Sequence, residues 1–281
     1  MSTFEHIVVD IPADGISRIT LNRPEARNAL NNRLRGEIYG VLEANDRDDD
    51  IRVTIIRGAG KCFCAGYDLK ANNSADQPYH TAGGDGNWSR HVVDGFFRVW
   101  DLAKPVIAQV HGYCLAGGTE LATSCDLVYV AEDAIIGYPV VRSMSPPDNQ
   151  FFPHLLGLRR AMEMMLTGEA ISGLEAVESG FANRAFAAES LDDEVLQMAV
   201  KVAKVPADLQ QMNKRAVHRQ MELMGVRAAI RSGTEIQALA FHTASTRAHF
   251  KELAAGLTDA LSKRDSQFGD YRTRAEGKDP A

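Results

Sequence analysis

The chain has 281 residues, 45% hydrophobic and 24% charged, with 23 Gly, 10 Pro and 4 Cys; these proportions exclude a collagen-like fibre, a disulfide scaffold and a disordered tail. At roughly 150 residues per domain, the length fits about two domains or one large core with an appendage. The formal charge of −6 disfavours a nucleic-acid partner, but it is uneven: residues 201–281 carry 14 Lys and Arg against 9 Asp and Glu, so a phosphate group is expected to be met there.

In chain order, His6–Ile11 and Ile16–Leu21 read as strands separated by the turn residues Pro12–Gly15. Asn28 is placed to cap a helix whose apolar positions Leu30, Leu34, Ile38, Val41 and Leu42 recur at helical spacing. Val53–Ile56 is a short apolar run ended by Gly58 and Gly60, hence a buried strand feeding a loop. The polar, glycine-rich residues 71–87 read either as a flap over a site or as a surface insertion. A helix through Phe96, Phe97, Trp100 and Leu102 then leads by Pro105 to the strand Val106–Val110, and Leu127–Val130 is a further strand. From about Leu155 the chain reads as mostly helical: Ser172 caps Leu174–Ser179, and helices follow over Leu191–Val205, Ala207–Leu223 and Val226–Ala240 and on to Leu261. Strand and helix alternating, then helices alone, imply an α/β core over residues 1–200 with a helical C-terminal subdomain over 201–281. No window approaches the roughly 18 apolar residues of a membrane span, and MSTFEHIVVD lacks the features of a leader peptide, so a cytoplasmic location is expected.

Chemistry concentrates in two loops, Lys61–Leu69 and Gly112–Glu120, each joining a buried strand to a glycine turn. Glycine lets a ligand approach bare N–H groups, and two such loops can aim two donors at one developing oxyanion. Glu120 is the only charged residue between Gly112 and Ser124. A carboxylate in so apolar a segment is suited to proton transfer, or else forms a structural ion pair with a distant cation. Cys62, Cys64, Cys114 and Cys125 lack zinc-site spacing and read as small buried thiols, so no metal is expected.

These pieces resemble the crotonase, or enoyl-CoA hydratase/isomerase, superfamily over nearly the whole chain. The resemblance rests on Asn22–Leu30, Ala65-Gly-Tyr-Asp68, Lys104–Ala108 running through Gly112, Gly117, Gly118, Glu120 and Asp126, and Leu166–Ser172 followed by Ala176 and Gly180. It implies a spiral of ββα units, a homotrimer or dimer of trimers held by the C-terminal region, and an acyl-CoA thioester substrate whose coenzyme A replaces any separate cofactor. It assigns the backbone N–H groups of Tyr67 and Gly117 to an oxyanion hole and Glu120 to the first catalytic glutamate. It puts coenzyme A near Arg27, Asn28, Ala29 and Ala65, beside Asp68, with Lys263 reaching a phosphate in its own or a neighbouring subunit's site. The typical second glutamate falls on Val140 in Gly137-Tyr-Pro-Val140, and valine exchanges no proton. Asp148 is the nearest alternative carboxylate, where dienoyl-CoA isomerases have an aspartate; Arg142 can recognise the acyl chain or pair with Glu120; and Tyr138 can offer a phenol. The implied activity is hydration, or hydration with C–C cleavage, of a non-standard enoyl-CoA. Isomerisation through Glu120 and Asp148 is the alternative, and a non-catalytic CoA-ester or RNA-binding protein is the alternative of another class.

Overall fold

In the computed structural model, which describes residues 4–148, 150–269 and 271, the first two strands form a hairpin. β1 (Ile7–Ala13) and β2 (Ile16–Leu21) pair antiparallel from Ile7 opposite Leu21 to Ala13 opposite Ile16. Gly15 makes the turn at φ 71°, a left-handed conformation that glycine adopts without strain.

The helix that follows starts later than the sequence suggests. α1 (Asn32–Arg47) is capped by Asn31, whose side chain accepts the Leu34 N–H at 2.8 Å. Asn28 instead lies buried at φ 54° in the preceding loop, so its predicted capping role is wrong: two asparagines three residues apart compete for the cap, and the buried one serves the loop.

β3 (Val53–Gly58), α2 (Asn87–Trp100) and β4 (Val106–Val110) come next, then β5 (Tyr113–Leu115), α3 (Gly117–Ser124), β6 (Leu127–Ala131) and β7 (Ile135–Gly137). α4 (Phe152–Thr167) is broken at Gly157, whose φ of 71° and ψ of 172° are not helical. β8 (Ile171–Ser172), α5 (Gly173–Ser179), β9 (Arg184–Phe186) and α6 (Leu191–Ala203) follow, and the C-terminal part is α7 (Ala207–Leu223), α8 (Val226–Ala240), α9 (Ala244–Ala255) and α10 (Leu257–Ser266). Ser172 does cap α5, in a reciprocal capping box with Glu175.

The larger sheet has the order β1-β2-β3-β4-β6-β9, parallel except at the hairpin. β4 is buried along its whole length, and Val53–Ile56 of β3 likewise, as expected for parallel strands covered on both faces. A smaller sheet, β5-β7-β8, turns the chain through a second direction. β8 and β9 fall in the stretch expected to be mostly helical; at 2 and 3 residues they are too short to show alternation. α6 packs over the larger sheet, and α8 lies against α2, where Val226 and Ile230 join Val93, Phe97, Trp100 and Phe151 in an apolar cluster. That contact closes one side of the site.

Candidate active site

The two glycine loops lie side by side. Phe63 N–H donates to His111 O at 2.8 Å, Cys64 N–H to Tyr113 O at 3.1 Å, and Leu115 N–H to Cys64 O at 2.9 Å. Only glycine fits at two points of this seam: a Cβ on Gly112 would lie 2.1 Å from Lys61 O, and one on Gly118 would lie 2.5 Å from Cys64 O. On its other edge the first loop bridges to Leu30, whose N–H donates to Gly66 O at 2.7 Å and whose carbonyl accepts from Asp68 N–H at 3.0 Å. These bonds straddle Tyr67, so its own N–H points away from Leu30, as in any parallel bridge.

Gly117 is the first residue of α3, and its N–H is among those a helix leaves without an internal acceptor. Among the described residues, neither the Tyr67 nor the Gly117 N–H donates to a backbone carbonyl. The two stretches touch: a Cβ on Gly66 would meet Ala116 Cβ at 2.9 Å and Gly117 N at 3.4 Å. Ala116 itself holds φ 51°, ψ −121°, a sparsely populated conformation for a residue with a side chain. Two adjacent free donors at a helix start form a cradle for a carbonyl oxygen that gains negative charge.

Glu120 sits in the first turn of α3 and is 1% exposed. Its Oε2 accepts the Tyr67 hydroxyl at 2.5 Å, and its Oε1 accepts the Tyr138 hydroxyl and the Asp148 backbone N–H, each at 2.9 Å. Burial first, and then the charge of Glu120, pushes both phenols well above their usual range, so each stays a proton-bearing donor. The Asp148 carboxyl is also pushed well up, by burial and then by Glu120, against the opposing effects of the Ser89 hydroxyl and the Arg35 charge. Tyr67 is held in place by Trp88, edge-on at a ring separation of 5.3 Å, and Arg35 lies over the Trp88 ring at 5.5 Å.

Tyr67, Trp88, Tyr138 and Asp148 border a cavity of about 620 Å³, while Glu120 lies behind them and is not in its lining. Of the residues singled out in the sequence, Arg27, Ala65, Tyr67, Asp68, Tyr138, Val140 and Asp148 line it, and Ala116 lies between it and Gly117. The glycine-rich stretch supplies part of the wall through Asn73 and residues 84–87. It is anchored there by the Asn32 side chain, which donates to Asn73 O at 3.0 Å and Ala75 O at 2.8 Å.

Four expected contacts lie elsewhere in this chain. The buried Asn28 side chain accepts Arg23 N–H and donates to Ala59 O and Cys62 O, each at 2.9 Å, so it shapes the first loop from behind. The Ala29 carbonyl accepts from Arg23 at 2.5 Å, and Arg23 also pairs with Asp68 at 2.9 Å. Arg142 donates to Thr167 O at 2.8 Å, pairs with Asp265 at 3.4 Å and stacks 3.9 Å over the Phe268 ring. The reason is local: Pro139–Arg142 is a 3-10 turn, in which residues two apart point to different sides, so Val140 faces the cavity and Arg142 the C-terminal helix. Lys263 pairs with Glu252 at 2.5 Å, outside the lining, while its neighbour Arg264 is in it.

Sequence reasoning missed Trp88, Ser89, Ser145 and Gln237 in the wall. One signal was available: Gln237 continues the buried stripe Val226, Ile230, Thr234 of α8, where a polar residue needs a partner. All four cysteines are free and buried, with the Cys64 thiol pushed up to about 12 by burial. Among the described residues no cluster of His, Cys, Asp and Glu could hold a metal, and no helix is long and apolar enough to cross a membrane.

Two backbone donors beside a buried carboxylate can stabilise a developing oxyanion and move a proton. The enoyl-CoA hydratase/isomerase family model matches residues 12–272, and the chain belongs to that family, within the crotonase superfamily. It is 32% identical over 273 residues to a probable enoyl-CoA hydratase of Mycobacterium tuberculosis, covering 95% of this chain and 98% of the other. It is 30% identical over 280 residues to the mitochondrial enoyl-CoA hydratase of Pongo abelii, covering 96% and 89%. Among solved structures it is similar to an enoyl-CoA hydratase of Mycobacterium smegmatis, with TM-score 0.86, 30% identity and 95% of each chain covered. An enoyl-CoA hydratase/isomerase of Xanthobacter autotrophicus Py2 matches with TM-score 0.86 and 33% identity over 94% and 99%.

Proposed function

We propose that the protein is an acyl-CoA enzyme that stabilises a thioester enolate and hydrates an enoyl-CoA with a non-standard acyl group, with or without subsequent C–C cleavage. The observation that carries this reading is the Glu120 carboxylate, buried below the cavity and held by Tyr67, Tyr138 and the Asp148 N–H, beside the free N–H groups of Tyr67 and Gly117. In this reading the thioester carbonyl lies between those two N–H groups. As water adds to the β-carbon, its proton passes to Glu120 and the carbonyl oxygen becomes an enolate. The same carboxyl then returns the proton to the α-carbon. One group serves both steps because Val140, which lines the cavity, stands where the second glutamate is expected. The tyrosine hydroxyls fix the carboxylate and connect it to the cavity.

Arg27 and Ala65 at the first loop and Arg264 at α10 would hold coenzyme A, with Asn28 and Ala29 shaping that loop. Coenzyme A is part of the substrate, and no separate cofactor is invoked. Lys263 would reach a phosphate only across the homotrimer, or dimer of trimers, that we propose for the family region at the C-terminus. The proposed compartment is the cytoplasm.

A second reading, dienoyl-CoA isomerisation, is favoured by Asp148, which lines the same cavity and has its carboxyl pushed up by burial and then by the nearby Glu120 charge. Mass spectrometry of varied enoyl-, dienoyl- and β-hydroxyacyl-CoA thioesters in heavy-oxygen water separates the reactions. Label uptake marks hydration, chain shortening marks cleavage, and unchanged mass with altered absorbance marks isomerisation. Glu120→Gln is expected to lower turnover by roughly a hundredfold or more. Turnover within about threefold of the parent rejects Glu120 as the acid–base group, and RNA binding without affinity for CoA esters rejects the enzyme reading altogether.

A further inference from the structure

We infer that Ser89, Ser145, Asp148 and Gln237 form a subsite for a hydroxyl group carried on the acyl chain beyond the reacting carbons. The inference rests on the cavity taking acyl-CoA thioesters and on the hydration reading, in which the Asp148 carboxyl takes no part in the reacting carbons' chemistry. Most of the wall that would flank an acyl chain is apolar, with Trp88, Leu115, Val140, Met144 and Phe241 among its residues. An alkyl chain would find partners there.

One patch is different. Ser89 from α2, Ser145 and Asp148 from the segment before α4, and Gln237 from α8 all line the cavity, and they are 0%, 5%, 3% and 2% exposed. Four buried polar side chains facing one void are costly unless something bonds to them.

Their internal bonds account for only part of their capacity. The Ser89 hydroxyl donates to Gln237 Oε1, and the Gln237 amide donates to Ser145 Oγ over a long 3.4 Å. Asp148 Oδ1 is buried with no hydrogen-bond partner, and the second proton of the Gln237 amide has no acceptor among the described residues. Asp148 divides its work: the backbone N–H holds Glu120 Oε1 at 2.9 Å, while the carboxyl meets the Ser89 hydroxyl of α2 and leaves Oδ1 without a partner. The polar patch therefore adjoins the reacting end but is built from different groups.

A hydroxyl is the function that fits. It accepts from the spare Gln237 N–H and meets Asp148 Oδ1 as donor, or as acceptor if that oxygen carries the proton. The Asp148 carboxyl is pushed well up by burial and then by Glu120, and none of the other three groups of the patch carries a charge, so the patch is built for hydrogen bonding to an uncharged group. A site with buried groups made to be paired rejects the analogue that cannot pair them far more strongly than an apolar pocket rejects an extra methylene.

The test compares enoyl-CoA thioesters matched in length, with and without a hydroxyl at the γ-carbon or further out. Binding of the matched saturated, unreactive thioesters is measured by calorimetry in parallel. The parent protein is expected to favour the hydroxylated member at least about tenfold in kcat/KM and in affinity, the equivalent of one or two buried hydrogen bonds. Ser89→Ala and Gln237→Leu are each expected to bring that ratio towards one, mainly through KM. Thermal melting shows whether each variant is folded, and Gln237→Met, closer in shape, gives the same ratio test if Gln237→Leu is not.

Equal kcat/KM for the two members with the parent protein overturns the inference and leaves the enzymatic reading standing, as does a ratio unchanged in folded Ser89→Ala and Gln237→Met. Tighter binding of the hydroxylated saturated thioester with no turnover of any thioester supports the subsite and overturns the enzymatic reading instead. No binding of either thioester overturns both.

Discussion

Tyr138→Phe removes one oxygen atom that is buried and bonded to Glu120 Oε1 at 2.9 Å. The ring still fills its space against Phe152, 6.4 Å away in an edge-on contact, so the perturbation is confined to the hydroxyl. A hydrogen bond to a charged group contributes roughly 1.5–3 kcal/mol. The Tyr138 phenol favours the ionised form of Glu120, so its loss makes protonation of that carboxyl easier and moves the acid limb of kcat/KM to higher pH. The Asp148 N–H and the Tyr67 hydroxyl still hold the carboxylate, so activity on the alkaline side of the limb should fall far less than at its midpoint. The assay is kcat/KM across pH for the enoyl-CoA identified by the mass-spectrometric screen. A folded variant whose profile superimposes on that of the parent refutes the role given to Tyr138.

Other residues give further expectations. Gly117→Ala would put a Cβ 2.8 Å from the Tyr67 ring, and since that ring is tied to Glu120, thermal unfolding should show a loss of roughly 1–3 kcal/mol together with a large fall in kcat. Asn28→Ala strips three bonds from the back of the first loop and should cost roughly 2–4 kcal/mol in urea unfolding because its buried partners are left unpaired; a loss below about 0.5 kcal/mol refutes that account. His91 is buried, with its pKa held down to about 4 by burial and the Arg35 charge. The unfolded chain takes up this proton near pH 6.5 and the folded chain only near 4, so stability should fall as pH drops through that window. Unfolding measured across pH should show the slope reduced in His91→Gln and unchanged if His91 titrates normally.

The sequence was most legible where periodicity and capping agree. α7 and α8 have the predicted limits, and Ser172 caps α5 as its spacing to Glu175 suggests. The large parallel strands stood out because both faces are buried and the runs are apolar throughout. What could not be read were elements defined by partners distant in sequence. β9 is a strand only because β6 lies beside it, and the smaller sheet depends on Gly112 carrying the chain across Lys61. In the site, Glu120 was visible as an isolated charge, and the loops as glycine clusters. Donors to it come from residues 67, 138 and 148, and no local pattern announces that convergence. Arg142 shows the converse error: a cation near the site by number is carried to its far side by one short turn.

Val140 takes on a different meaning once Tyr138 is placed. A second carboxylate at position 140 would face the same cavity as Asp148, whose carboxyl already cannot ionise easily beside Glu120. Three carboxyl groups about one cavity could not all be charged, because like charges at close range force proton uptake. With valine at 140, Glu120 accepts from donors that include two phenols and an amide N–H. Donors stabilise the carboxylate rather than compete with it for protons. On the proposed reading the site would concentrate its basic function on one residue and surround it with groups that keep it ionised. The cost would be the loss of a separate acid for the α-carbon, which would make the reaction stepwise and its enolate longer-lived. That raises the importance of the Tyr67 and Gly117 N–H groups, and it ties both to one side chain: the Tyr67 ring packs on Gly117 while its hydroxyl holds Glu120. A change at any of the three must then be felt at the other two.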